Sequence, residues 1–94
     1  MDLQTRVKAR EGVMSTEVDG QAVLMHVEQG IYYGLNDVGA LIWRHMAASI
    51  HLRDLRDAVL SEFDVAPDDC ERDVINLIEQ LENAKLVEIV AAKV

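Results

Sequence analysis

Gly30-Ile31-Tyr32-Tyr33-Gly34-Leu35-Asn36-Asp37-Val38-Gly39-Ala40-Leu41-Ile42-Trp43 joins an apolar strand directly to a capped amphipathic helix. Ile31 to Leu35 is made of residues that favour strands, interrupted only by Gly34. Asn36 is a good N-cap, and Asp37 suits the positive end of a helix dipole. Val38, Leu41, Ile42, His45 and Met46 then follow helical spacing, which predicts a helix over about 37–47. Trp43 falls beside that stripe, where it either anchors a partner or is wedged between sheet and helices.

Toward the N-terminus, Asp19-Gly20 separates two strand-like runs, Val13 to Val18 and Gln21 to Val27. This dipeptide supplies the two positive φ angles of a type I′ hairpin turn. A two-residue loop pairs Val18 with Gln21, Thr16 with Val23 and Met14 with Met25. One side of the hairpin then carries Met14, Val18, Val23 and Met25, and the other carries Val13, Ala22 and Leu24 beside Ser15, Glu17 and His26. Both sides are partly apolar, so the sequence is compatible with burial of either. Ile31 to Leu35 pairs back as the third strand of an antiparallel meander. Residues 1–12 lack periodicity and are expected to form a loose arm ahead of a core over about 13–90.

Toward the C-terminus, Leu52, Leu55, Val59 and Phe63 form one stripe of a second helix over about 52–63. Asp64 to Pro67 breaks the pattern. A third helix over about 68–83 places Val74, Leu77, Ile78 and Leu81 at i, i+3, i+4 and i+7, with acidic residues at its start and Asn83 as a left-handed stop. Leu86 to Val90 is a short strand or a packed tail. A three-stranded antiparallel sheet followed by three helices, within one domain over 1–94, is an α+β arrangement.

Composition narrows the function classes. Half of the 94 residues are hydrophobic, which is a globular composition, and no apolar run is long enough to cross a bilayer. The chain opens without a basic region followed by an apolar one, so a cytoplasmic location is expected. Seventeen acidic against nine basic residues give a formal charge of −8. That balance disfavours phosphate-rich partners, because each phosphate contact needs a cation. The helix order resembles a winged-helix DNA reader, yet the third helix would present Asp68, Asp69, Glu71, Asp73, Glu79 and Glu82 against one Arg72. An acidic DNA-binding regulator therefore ranks below a peptide binder.

Catalytic and metal chemistry find little support. His26, His45 and His51 show no i, i+4 pairing and have no cysteine cluster beside them, so no metal site is expected. Cys70 is the only cysteine, and its carboxylate neighbours Asp68, Asp69 and Glu71 oppose a reactive thiolate. Neither a phosphate loop nor a nucleophile elbow is present. A non-catalytic binding module without cofactor is the reading the residues favour.

The meander supplies a binding mode. Native sheet edges are usually blunted by lysine, proline or a bulge, and Ile31 to Leu35 has none of these except Gly34. An unblunted edge beside an amphipathic helix suits addition of a peptide strand, with main-chain hydrogen bonds for affinity and side-chain pockets for specificity. Pairing of two such edges would instead give a homodimer.

Gly30-Ile31-Tyr32-Tyr33-Gly34-Leu35-Asn36, followed by Gly39, Ile42-Trp43 and then Asp73-Val74, Leu77 and Leu81, resembles the coenzyme PQQ synthesis protein D family, the RiPP recognition elements. The resemblance runs from about Val13 to Val90. The double tyrosine and the small size look most like the discrete leader-binding proteins of lasso-peptide biosynthesis; a chaperone for the PQQ precursor peptide is the alternative within the family. The resemblance implies a winged-helix-like fold that takes a precursor leader peptide as an added strand and hands it to a leader peptidase or other modifying enzyme. Carried over residue by residue, it implies peptide contacts at Ile31, Tyr32, Tyr33 and Leu35 on the strand and at Asp73, Val74, Leu77, Ile78 and Leu81 on the helix. Asn83-Ala84-Lys85-Leu86 departs from the family's usual glycine at the helix end.

Overall fold

The computed structural model describes residues 1–90. Strand β1 is Arg6–Ala9, β2 Val13–Val18, β3 Gln21–His26 and β4 Ile31–Leu35. Helix α1 is Asp37–Arg44, strand β5 Ile50–His51, α2 Leu52–Glu62, α3 Pro67–Asn83 and strand β6 Val87–Val90. The predicted meander forms one antiparallel sheet in the order β2-β3-β4, and β1 lies between β5 and β6 in a second. Three helices with these antiparallel sheets make the expected α+β fold.

The hairpin follows from its turn. Asp19 and Gly20 have φ of 56° and 80°, and Val18 pairs with Gln21, Thr16 with Val23 and Met14 with Met25. Side chains alternate across a strand, so Ala22 and Leu24 fall on one face together with Tyr33 and Leu35 of β4. That face is buried: Ala22, Leu24 and Leu35 belong to the core.

Asn36 caps α1 as its sequence predicts, its Oδ1 accepting from the Gly39 N–H at 2.9 Å. A Cβ on Gly39 would lie 3.1 Å from the Leu35 Cβ, so glycine allows the helix to start directly against the strand. The helix ends at Arg44 rather than near 47. His45 and Met46 turn back to bond the carbonyls of Ile42 and Trp43, which tightens and closes the last turn. Trp43 is buried with Ile42, wedged among sheet and helices.

Residues 1–12 are not the loose arm their lack of periodicity predicts. Arg6–Ala9 pairs with Val87–Val90 on one side and with Ile50 and His51 on the other, and Val7 is fully buried. The carbonyls of Leu3 and Thr5 also accept from the N–H groups of Arg53 and Leu52 at 3.0 and 2.9 Å. Helix α2 has no side-chain cap, so the N-terminal segment satisfies donors that would otherwise be orphaned.

The end of α3 corrects a second expectation. Asn83 remains helical, and Lys85 takes the left-handed conformation, with φ of 63°. Leu86 N–H bonds the Leu81 carbonyl and Lys85 N–H bonds that of Glu82, the double pattern that closes a helix with an apolar contact between Leu86 and Leu81. Burial of both leucines sets the left-handed stop two residues later than the residue type suggests.

Candidate functional site

Among the described residues strand β4 has a partner on one side only, because it ends the order β2-β3-β4. In a two-residue hairpin the closing pair, Val18 and Gln21, is a hydrogen-bonded one, and bonded and non-bonded pairs then alternate. Carried through the register of β3 with β4, this turns the main-chain groups of Ile31, Tyr33 and Leu35 toward β3. Those of Tyr32 and Gly34 point to the free edge.

Beside the C-terminal end of β4 opens a cleft of about 430 Å³. Its floor is Val38 and Ile42 of α1, and one wall is Asp73, Val74, Leu77 and Gln80 of α3. The elements place these residues for simple reasons. Helix α1 starts at Asn36 immediately after β4, so its first two turns must lie at the foot of the strand. Helix α3 begins with Pro67 at its first position, where a missing N–H costs nothing, and its buried stripe packs on α2 and β6. Between β4 and α3 one direct tie crosses: the Tyr33 hydroxyl donates to Oε1 of Gln80 at 2.8 Å.

The predicted site residues divide by depth. Tyr33 is half-buried on the inner face and reaches α3, whereas Ile31 and Tyr32 are exposed, Tyr32 on the outer face of the sheet away from α3. Leu35 is buried in the core beneath α1. On the helix, Asp73 and Leu77 are reachable from the cleft, Val74 lies deep in its lining, and Ile78 and Leu81 are fully buried in the core behind it. Gln80 and the first-turn residues of α1 were not among the expected contacts. Gln80 carries the signal of lying three residues beyond Leu77 on the same helix face.

The cleft is apolar with an acidic rim. Among the described residues no Lys or Arg is in its lining and Asp73 has no ion-pair partner. Cys70 lies at its base, its thiol against the Arg56 carbonyl at 3.7 Å. Burial pushes that thiol up, the Arg56 guanidinium opposes the shift, and the carboxylates of Asp73 and Asp57 reinforce it. Each of these effects but that of Arg56 disfavours the thiolate, the form in which a cysteine attacks. Among the described residues no three His, Cys, Asp or Glu side chains come together as metal ligands, and no helix is long and apolar enough to cross a membrane.

A family model described as coenzyme PQQ synthesis protein D (PqqD) matches residues 21–87. Two solved structures are similar over nearly their whole lengths. One, described as TbiB1 in complex with the TbiA(beta) leader peptide, is 32% identical, with a TM-score of 0.80 over 90% of this chain and 99% of its own. The other, a lasso peptide synthetase B1 complexed with the leader peptide, is 27% identical, with a TM-score of 0.76 over 87% of this chain and 96% of its own. None of the curated proteins matches.

Proposed function

Since the chain belongs to the coenzyme PQQ synthesis protein D family, we propose that it is a non-catalytic adaptor that captures a precursor leader peptide in lasso-peptide biosynthesis. The observation that carries this reading is the free edge of β4 beside an apolar cleft walled by α3. A leader adds antiparallel to β4, exchanging main-chain hydrogen bonds with Tyr32 and Gly34. Alternate leader side chains then enter the cleft against Tyr33 and Leu77, with Asp73 at the rim placed for a basic leader residue. Ile31 flanks the start of the docking edge. Leu35, Val74, Ile78 and Leu81 act from beneath, fixing the spacing of strand and helix. The loaded adaptor presents its precursor to a leader peptidase or other modifying enzyme in the cytoplasm, where a ribosomal product is released. The two similar structures, each named for a leader-peptide complex, support the lasso reading over a PQQ-precursor chaperone.

The test is titration with a synthetic leader encoded beside the gene, followed by amide hydrogen exchange. Saturable binding at about 10 μM or tighter, roughly −7 kcal/mol, is expected. Exchange at the amides of Tyr32 and Gly34 slows on binding. No saturation, or protection that spares β4, refutes the proposal. The same titration across a salt series separates it from DNA recognition, in which affinity falls steeply with salt.

A further inference from the structure

Of the five glycines, Gly34 stands apart. Gly12, Gly20 and Gly30 take positive φ, and Gly39 admits the close approach of Leu35. At Gly34 the φ is not left-handed, and among the described residues a Cβ would meet nothing within 4 Å. Yet it lies inside strand β4, where a glycine costs backbone freedom on folding and gives no side chain to pack. Glycine within a strand marks a bulge or a close approach by a ligand or another backbone. The register of β3 with β4 runs through Gly34 without a bulge, which leaves the approach.

The register also defines what approaches. The main-chain groups of Gly34 point to the free edge, so a strand added there sets one residue directly opposite it, with that side chain on the outer face, away from the cleft at α3. On this face Val23 pairs with Gly34 from β3, and Tyr32 precedes it by two residues on β4. They are 44 and 68% exposed. Asn36, two residues after Gly34, is committed to the cap of α1. The missing side chain therefore leaves a gap about one strand spacing wide, roughly 4.8 Å, with Val23 as its wall and the Tyr32 ring at one end. A leader valine or leucine stops at the near side of this gap. An aromatic ring is long and rigid enough to lie across it, over the glycine main chain and against both neighbours. Aromatic residues make good a glycine on an adjacent strand in this way. The outer-face positions of β3 and β4 are Gln21, Val23, Met25, Tyr32 and Gly34, so a charged leader side chain would find no counter-ion there.

We propose that Gly34 determines specificity: it selects a leader with an aromatic side chain at the position opposite it, seated on the outer face of the sheet rather than in the cleft. The inference rests on the leader-binding reading above. Gly34→Val and Gly34→Ala test it, with melting followed by circular dichroism and binding by anisotropy. The probes are the synthetic leader encoded beside the gene and its single-alanine variants. Both protein variants keep or raise the wild-type Tm, because the added side chain has room and suits a strand. Leader affinity moves the other way, about threefold weaker for Gly34→Ala and about tenfold for Gly34→Val, whose methyls fill the seat. In the wild type, alanine at one aromatic leader residue weakens binding about fivefold, and in Gly34→Val the same change costs less than about twofold. Leader affinity of Gly34→Val within about twofold of wild type overturns the proposal. So does a fall in Tm with either variant, which would show that the chain needs the glycine for its own fold. A leader scan in which no residue, or only an aliphatic or charged one, loses its effect in Gly34→Val overturns the choice of side chain. Failure of the wild type to bind leader overturns the underlying reading and is seen before any variant is compared.

Discussion

Replacing Leu77 by glutamate separates the binding role of the cleft from its part in the fold. Leu77 is half-buried in the lining, one helical turn from Asp73 and from Gln80. In the free protein a glutamate there keeps access to water, so the loss of stability stays near 1 kcal/mol, the scale of a partial leucine burial. A bound peptide strand changes this, because it shuts the carboxylate away beside Asp73 with no cation in the lining. The leucine contact forgone amounts to about half of the 1.5–3 kcal/mol of a full burial. The unpaired charge adds about 2 kcal/mol or more. Together these give roughly 3–5 kcal/mol, a weakening of about 100-fold or more. Leu77→Ala loses the contact alone, about 1 kcal/mol or roughly fivefold. Anisotropy with labelled leader reads both affinities, and circular dichroism with a urea midpoint reads the fold. Leader affinity for Leu77→Glu within about threefold of wild type, in a folded protein, would refute the placement of the peptide in this cleft.

Three further outcomes follow from the packing. Val7→Ala should cost about 2 kcal/mol, seen as a fall of about 10 °C in Tm, because Val7 fills the centre of the second sheet; a loose arm would show no change. Asn36→Ala removes the cap on Gly39 and should cost about 1 kcal/mol, or about 4–8 °C in Tm. Cys70 should resist iodoacetamide in the native protein near pH 8.5, the ordinary thiol pKa, and react once urea unfolds it; rapid native alkylation would contradict its burial and upward shift.

Much of the fold was legible wherever the signal was local. Asp19-Gly20 determined a turn and, through it, the register of β2 with β3. Asn36 marked the start of α1, and the break over Asp64 to Pro67 placed the start of α3 to within a residue. What escaped was non-local. Arg6-Val7-Lys8-Ala9 does alternate polar and apolar residues, but four residues carry too little period to stand out, and their partners lie at the far end of the chain. The face buried by the hairpin was equally hidden, since the larger apolar residues lie on the outer side. Small Ala22 and Leu24 face inward because α1, leaving β4 at Leu35, must pack on that side. In the candidate site, the unblunted edge was visible as the last strand of the meander and the Leu77 stripe as a helical period. The tie between Tyr33 and Gln80 was not, because it joins two elements whose separation only the tertiary packing determines.

The pairing of β1 with β6 makes completeness of the chain a condition of folding. Arg6 finds Val90 only across almost the whole described sequence, a closure that slows folding more than it weakens the folded state. During synthesis Val7 emerges first and waits with one flank uncovered until the meander, the helices and finally β6 have followed. A chain that stops before Val87 leaves that strand open to proteases and to other unpaired edges.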